Sequence, residues 1–354
     1  MEKQKNKIIP EYFAAANSYE GFISFFDNIF NSEKFDRIYV IKGGPGTGKS
    51  SLMKQISERI AKKDYYVERI LCSSDPTSLD GIIISSKTAK IAMLDGTAPH
   101  ERDAKIPGAK DEIINLADSL DKKWLMGRSE EIISLLNQKT KSYKAAYNYL
   151  SIAGKADHFI KSTYNVGFDK YRAKSKAESI LQDISMGEAD KQEIRLISSF
   201  ARYGEVRLNT LSQLGARSIC LSGNEWCNGI FLGVIKQILE HRTTHHIFLP
   251  CALDPTMTDS LYLLDHNLAI IGRGDGEVET ESLFSVSPVD LDQIKKARYI
   301  RTEALEEAKR WFVIASDMHF RLEKIYGEAM NFDINEGILE EKTTEICNIL
   351  ENER

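Results

Sequence analysis

The chain has 354 residues, 28% charged and 42% hydrophobic, with a formal net charge of -5. It is long enough for two domains, carries no strong positive field for nucleic acid, and has no apolar run near the ~20 residues of a membrane span. The charged start Met1-Glu2-Lys3-Gln4-Lys5 does not read as a signal peptide, and five scattered cysteines without a Cys-x-x-Cys pair point to reduced thiols in a cytoplasmic protein and away from zinc.

The first informative element is Arg37-Ile38-Tyr39-Val40-Ile41, a short β-branched and aromatic run that predicts a buried strand. Directly after it comes Gly43-Gly44-Pro45-Gly46-Thr47-Gly48-Lys49-Ser50-Ser51. Leu52, Met53, Ile56 and Ile60 then recur at helical spacing. Strand, glycine-rich turn and helix form the context of a phosphate-binding loop. Glycines let backbone N–H groups approach phosphate oxygens, and the helix N-terminus adds donors and partial positive charge. In this reading residues 43–51 cradle the phosphates, Lys49 reaches the β- and γ-phosphates, and the Ser50 hydroxyl ligates Mg²⁺.

Tyr66-Val67-Glu68-Arg69-Ile70-Leu71-Cys72 reads as the next strand and leads to Asp75. Ile91-Ala92-Met93-Leu94-Asp95 reads as another, with its acid at the carboxyl end. Ligands of open α/β sheets collect there, so Asp95 is the expected second Mg²⁺ ligand. The polar stretch Gly96-Thr97-Ala98-Pro99-His100-Glu101-Arg102-Asp103 follows. Glu101, then His100 and Asp75, are the candidates for orienting an attacking water.

The second half reads as a copy of the first. Arg37–Gly43 can be laid on Arg217–Gly223, and Cys72-Ser73-Ser74-Asp75-Pro76-Thr77 on Cys251-Ala252-Leu253-Asp254-Pro255-Thr256. Ile91–Leu94 then meets Leu268–Ile271. Helical stretches follow each half, with shared landmarks Ala153/Ala315, His158/His319 and Tyr164/Tyr326; both histidines read as core or cap residues. In this alignment Gly48 becomes Asn228, Lys49 becomes Gly229, Ser50 becomes Ile230 and Asp95 becomes Gly272. The copy is therefore expected not to bind NTP–Mg²⁺ in the usual way. The polar break at 186–191 reads as the linker.

Four segments also resemble a known family: the loop at 43–50, Asp-Pro-Thr-Ser-Leu-Asp at 75–80, Asp-Gly-Thr-Ala-Pro-His-Glu at 95–101, and the run at 107–116. They are similar to an uncharacterised bacterial P-loop ATPase family with two tandem P-loop NTPase domains. In that family the second domain carries its own intact loop, from which Gly223–Ile230 departs here. The resemblance implies ATPase activity. Together the expectations are an α/β fold with two tandem P-loop NTPase-like domains, each a parallel sheet flanked by helices. Residues 1–187 form the active domain and 188–354 the degenerate one. ATP and Mg²⁺ are the expected ligands, with a macromolecular partner or acceptor left open. Arg202, Arg217 and Arg273 are candidates to assist the active site. A phosphotransferase using Asp75 as base, and a non-hydrolysing nucleotide switch, are the alternatives.

Overall fold

The computed structural model describes residues 8–185, 192–274 and 276–351. It divides into two compact units, each drawn from separated stretches of chain. The first comprises Met1–Ala15, Phe26–Ala145 and Arg310–Arg354, and the second Ala16–Phe25 and Ala146–Lys309. The expected linker at 186–191 lies outside the described residues. Each half of the sequence supplies one sheet, but the helical stretches after each sheet are divided between the units, so the units interleave along the chain.

The first sheet contains β1 (Glu11–Phe13), β2 (Arg37–Lys42), β3 (Tyr66–Leu71), β4 (Leu79–Ser85), β5 (Lys90–Asp95) and β6 (Asp111–Asn115), in the order β1-β3-β4-β5-β2-β6. β1/β3, β5/β2 and β2/β6 are parallel, while β4 runs antiparallel to both neighbours. β2 and β5 are buried almost end to end, as central strands covered on both faces must be. Helix α1 (Lys49–Ala61) buries Leu52, Met53, Ile56 and Ile60, its i, i+1, i+4, i+8 stripe. Each such side chain stabilises the fold by roughly 1.5–3 kcal/mol.

The long helix α2 (Ser129–Val166) and α3 (Lys170–Ile180) follow. The second sheet contains β7 (Gln192–Ile194), β8 (Arg217–Ser222), β9 (His246–Pro250), β10 (Thr258–Leu263), β11 (Leu268–Ile271) and β12 (Val278–Glu279), in the order β7-β9-β10-β11-β8-β12. Strand order and sense repeat those of the first sheet strand for strand. Even the register shift recurs, at Ile70/Leu71 in one and Leu249/Pro250 in the other. Helix α4 (Glu225–His241) covers the second sheet, and α5 (Pro288–Glu328) and α6 (Phe332–Glu351) complete the chain.

The sheets are mostly parallel rather than fully so, because β4 and β10 are antiparallel. The cause is local. Asp75 accepts hydrogen bonds from the N–H and hydroxyl of Thr77, and Asp254 does the same for Thr256. These Asp-Pro-Thr turns reverse the chain within a few residues, and a short reversal delivers an antiparallel neighbour where a parallel one needs a long crossover. Among the described residues no helix is long and apolar enough to cross a membrane.

The helical landmarks sit at matched places. Ala153 and Ala315 are both fully buried. Tyr164 accepts a hydrogen bond from Asn224, in the turn after β8, while the ring of Tyr326 lies against Gly44, in the turn after β2. The turn after each central strand is thus backed by a helix from the other half of the sequence. The paired histidines depart from the expected packing role: His158 is exposed, and His319 is half-exposed and holds polar partners.

Candidate functional site

β2 ends in the turn 43–48, and α1 begins at Lys49 with Gly48 as its N-cap. Gly46 and Gly48 have φ of 71° and 89°, in the left-handed region where only glycine is unstrained. Space is a second constraint. A Cβ on Gly46 would stand 2.3 Å from the carbonyl oxygen of Glu323. Asn335 of α6 donates from Nδ2 to the Thr47 carbonyl at 3.0 Å, and Thr47 Oγ1 donates to the Gly44 carbonyl at 2.9 Å. No side chain caps α1, so the positive end of its dipole faces the loop.

Lys49, the first residue of α1, donates from Nζ to the carbonyls of Gly43 (3.0 Å) and Gly44 (2.7 Å) and stands 3.6 Å from Asp95 Oδ2. The next residue, Ser50, accepts the Leu79 N–H on Oγ at 2.9 Å, while Ser51 is exposed. Asp95 ends β5 opposite Ile41 of β2, and its Oδ1 accepts from Thr97 N (2.9 Å) and Oγ1 (2.6 Å). The Lys–Ser pair at the helix start and the carboxylate at the neighbouring strand end therefore share one edge of the sheet.

Asp80, the second residue of β4, joins them. Potential ligand atoms of Asp80, Asp95 and His100 all lie within 4.8 Å of one another. The His100 ring stacks on Phe26 with centroids 4.4 Å apart, and its Nε2 is 4.0 Å from Asp80 Oδ1. Burial pushes the Asp80 carboxyl up to about 6; His100 opposes that rise and the Asp95 carboxylate adds to it. Two neighbouring carboxylates are hard oxygen donors whose mutual repulsion a divalent cation relieves. Asp80 and Asp95 could hold such a cation.

The Asp80 shift has a testable sign. A folded-state value above the ordinary 3.8 favours folding below about pH 4, and this contribution is lost as pH rises through about 6. In EDTA, Asp80→Asn is therefore expected to stabilise the protein at pH 7.5, by on the order of 1–3 kcal/mol, and much less at pH 4.5. Urea denaturation at the two pH values measures it. An equal effect at both would remove the shift as the cause.

Of the sequence-predicted residues, Lys49, Ser50, Asp95 and His100 come together here. Glu101 is exposed and outside the Asp80–Asp95–His100 cluster, and Asp75 serves as the turn cap before β4. Asp80 was not singled out. The repeat held its signal, since Asp259 follows Asp254 at the same spacing and occupies the matching position beside the register shift.

The corresponding place in the second unit is filled by the protein's own groups. The six-residue turn 43–48 has no counterpart of equal length, because α4 starts at Glu225 with Asn224 as cap. Gly229 consequently lies in the second turn of the helix rather than at its start. Asn228 donates from Nδ2 to the carbonyls of Gly223 (3.1 Å) and Gly272 (2.7 Å), bridging across to the position matched to Asp95. Beside it, Arg273 pairs with Glu205 (2.6 Å), Glu225 (3.2 Å) and Asp259 (3.2 Å). A cavity of about 30 Å³ remains among Asp157, Glu225, Asp259, Arg273 and Arg301, room for about one water molecule and far too little for a nucleotide. Of the other arginines considered from sequence, Arg202 lies over the Tyr203 ring and Arg217 is exposed at the start of β8. No family model, curated protein or solved structure matches this chain.

Proposed function

We propose that the first unit binds Mg·ATP in the loop 43–50 and hydrolyses it, and that the second unit is a related copy that does not bind nucleotide. The supporting observation is the convergence of Lys49, Ser50 and Asp95 at the start of an uncapped helix, with Lys49 Nζ 3.6 Å from Asp95. The matched order of the two sheets supports a duplication, as does the resemblance to tandem P-loop ATPases.

Loop N–H groups and the α1 N-terminus hold the phosphate oxygens, and Lys49 turns from the Gly43 and Gly44 carbonyls to the β- and γ-phosphates. Ser50 and Asp95, with Asp80 nearby, would hold Mg²⁺, which would supply charge neutralisation for the phosphates. His100, kept in place by its stack on Phe26, is the group suited to orient the attacking water, a role sequence reasoning had given first to Glu101. The second reading, a phosphotransferase with Asp75 as base, gains no support from a carboxylate whose Oδ1 caps its own turn.

The test is phosphate release by the full-length protein with ATP, with and without Mg²⁺, beside a calorimetric titration. Mg²⁺-dependent release and one nucleotide per chain are expected, with Asp95→Asn lowering the rate by about 10²-fold or more. Release independent of Mg²⁺ and unaffected by the substitution would sink the hydrolase reading, and two nucleotides per chain would overturn the silent copy.

A further inference from the structure

Lys139 belongs to no motif, yet the fold brings it beside the phosphate loop. It lies on the part of α2 that belongs to the first unit, with Nζ 3.1 Å from His319 Nδ1 on α5. An ammonium can only donate, so His319 accepts on Nδ1 and carries its proton on Nε2, which faces Glu323 Oε1 at 3.5 Å. The carbonyl of Glu323 is the one that crowds Gly46. One turn along α2, the Tyr143 hydroxyl donates to Ser74 Oγ at 3.3 Å, in the loop after β3. Lys139 thus lies one helical turn from a contact with the loop after β3.

Its surroundings disfavour its charge. Burial lowers the Lys139 pKa, with the nearby Cys72 and Glu323 opposing this and Lys49 adding to it. Lys49 and Lys139 are near enough to repel each other, and an anion bearing several charges would relieve both.

The second unit supplies an independent comparison. Laying Ala153 on Ala315 and Tyr164 on Tyr326 places Lys139 on Arg301 and Asp157 on His319. Arg301 and Asp157 do pair, at 2.8 Å, and Arg301 also reaches Glu225 at 3.3 Å, the first residue of α4. The cation-and-partner arrangement is therefore common to both units. In the unit that lacks the phosphate loop the partners are carboxylates, which cancel the charge. In the unit that retains the loop the hydrogen-bonded partner is an imidazole, which leaves it.

The geometry points to Lys139 as a second phosphate cation that contacts the terminal phosphate of a bound nucleoside triphosphate and so separates it from the diphosphate, an inference that rests on the nucleotide reading of the loop 43–50. Binding would draw Lys139 from His319 to the terminal phosphate, a contact that a diphosphate cannot offer.

The experiment measures equilibrium binding of a non-hydrolysable ATP analogue and of ADP, each with Mg²⁺, to the full-length protein and its Lys139→Met and Lys139→Arg variants. Lys139→Met is expected to weaken the analogue by about tenfold or more and ADP by less than about threefold. Lys139→Arg should restore most of the difference, which a merely structural role would not. An unchanged analogue affinity, or equal losses for both ligands, overturns the inference and leaves the loop's role standing. No binding by the wild-type protein overturns both. If Lys139→Met does not fold, acylation of wild-type lysines read by mass spectrometry decides: the analogue should protect Lys139 and ADP should not, and equal reactivity with the two ligands refutes the contact.

Discussion

Lys49→Met is expected to lower the affinity for Mg·ATP by about a hundredfold or more and to bring phosphate release down to background. Lys49 is the one charged residue of the loop, with its ammonium 3.6 Å from the Asp95 carboxylate. Each charge-assisted hydrogen bond it gives up contributes roughly 1.5–3 kcal/mol, and two of them reach the hundredfold range. Methionine keeps the apolar stem, so the fold should change little. The Gly43 and Gly44 carbonyls lose a donor, a loss that a water molecule can offset. Calorimetric titration checks affinity, and a thermal melt checks that stability moves by no more than about 1–2 kcal/mol. Near-wild-type Mg·ATP affinity in a folded Lys49→Met protein would remove the loop from nucleotide binding.

The second large effect is on the loop's shape. Gly46→Ala is expected to destabilise the protein by on the order of 3–4 kcal/mol and to remove nucleotide binding in whatever remains folded. A left-handed conformation costs an alanine about 1 kcal/mol. The larger part comes from a Cβ 2.3 Å from the Glu323 carbonyl oxygen, which is backbone and has no rotamer to move to. Either α5 or the loop must shift, and a shifted loop no longer presents the same backbone. Gly108→Ala is the matched control, because Gly108 has φ of 77° with nothing within 4 Å of its Cβ position. It should show only the conformational cost. Urea denaturation of both proteins gives the difference, and equal losses would mean that Gly46 is not confined by Glu323.

Much of this arrangement is legible in the sequence. Strands β2, β3 and β5 announce themselves as apolar runs, and the glycines with Lys49 and Ser50 mark the turn. The recurrence of Asp-Pro-Thr at 75–77 and 254–256 marks both halves. The antiparallel β4 was less visible. Leu79–Ser85 is buried on both faces, so its side chains do not alternate and its period gives no direction. Asp80 escaped notice for a related reason: a lone acid before an apolar run reads as a turn residue until the sheet places it beside Asp95. The pairing of each loop with a helix from the opposite half was beyond local reading. Periodicity states that α5 has an apolar face, but the surface which that face meets is a property of the whole chain. Lys139 has value only through that pairing.

The wall behind the phosphate loop also has a place in time. Thr47 and Asn335 are 288 residues apart and joined by a hydrogen bond. Translation therefore delivers the loop long before the helix that supports it. A nascent chain that has exposed Gly43–Ser50 but not yet α5 and α6 carries the loop without the Glu323 carbonyl and Asn335 amide that pack against it. The loop sequence thus exists well before the contacts that fix its shape.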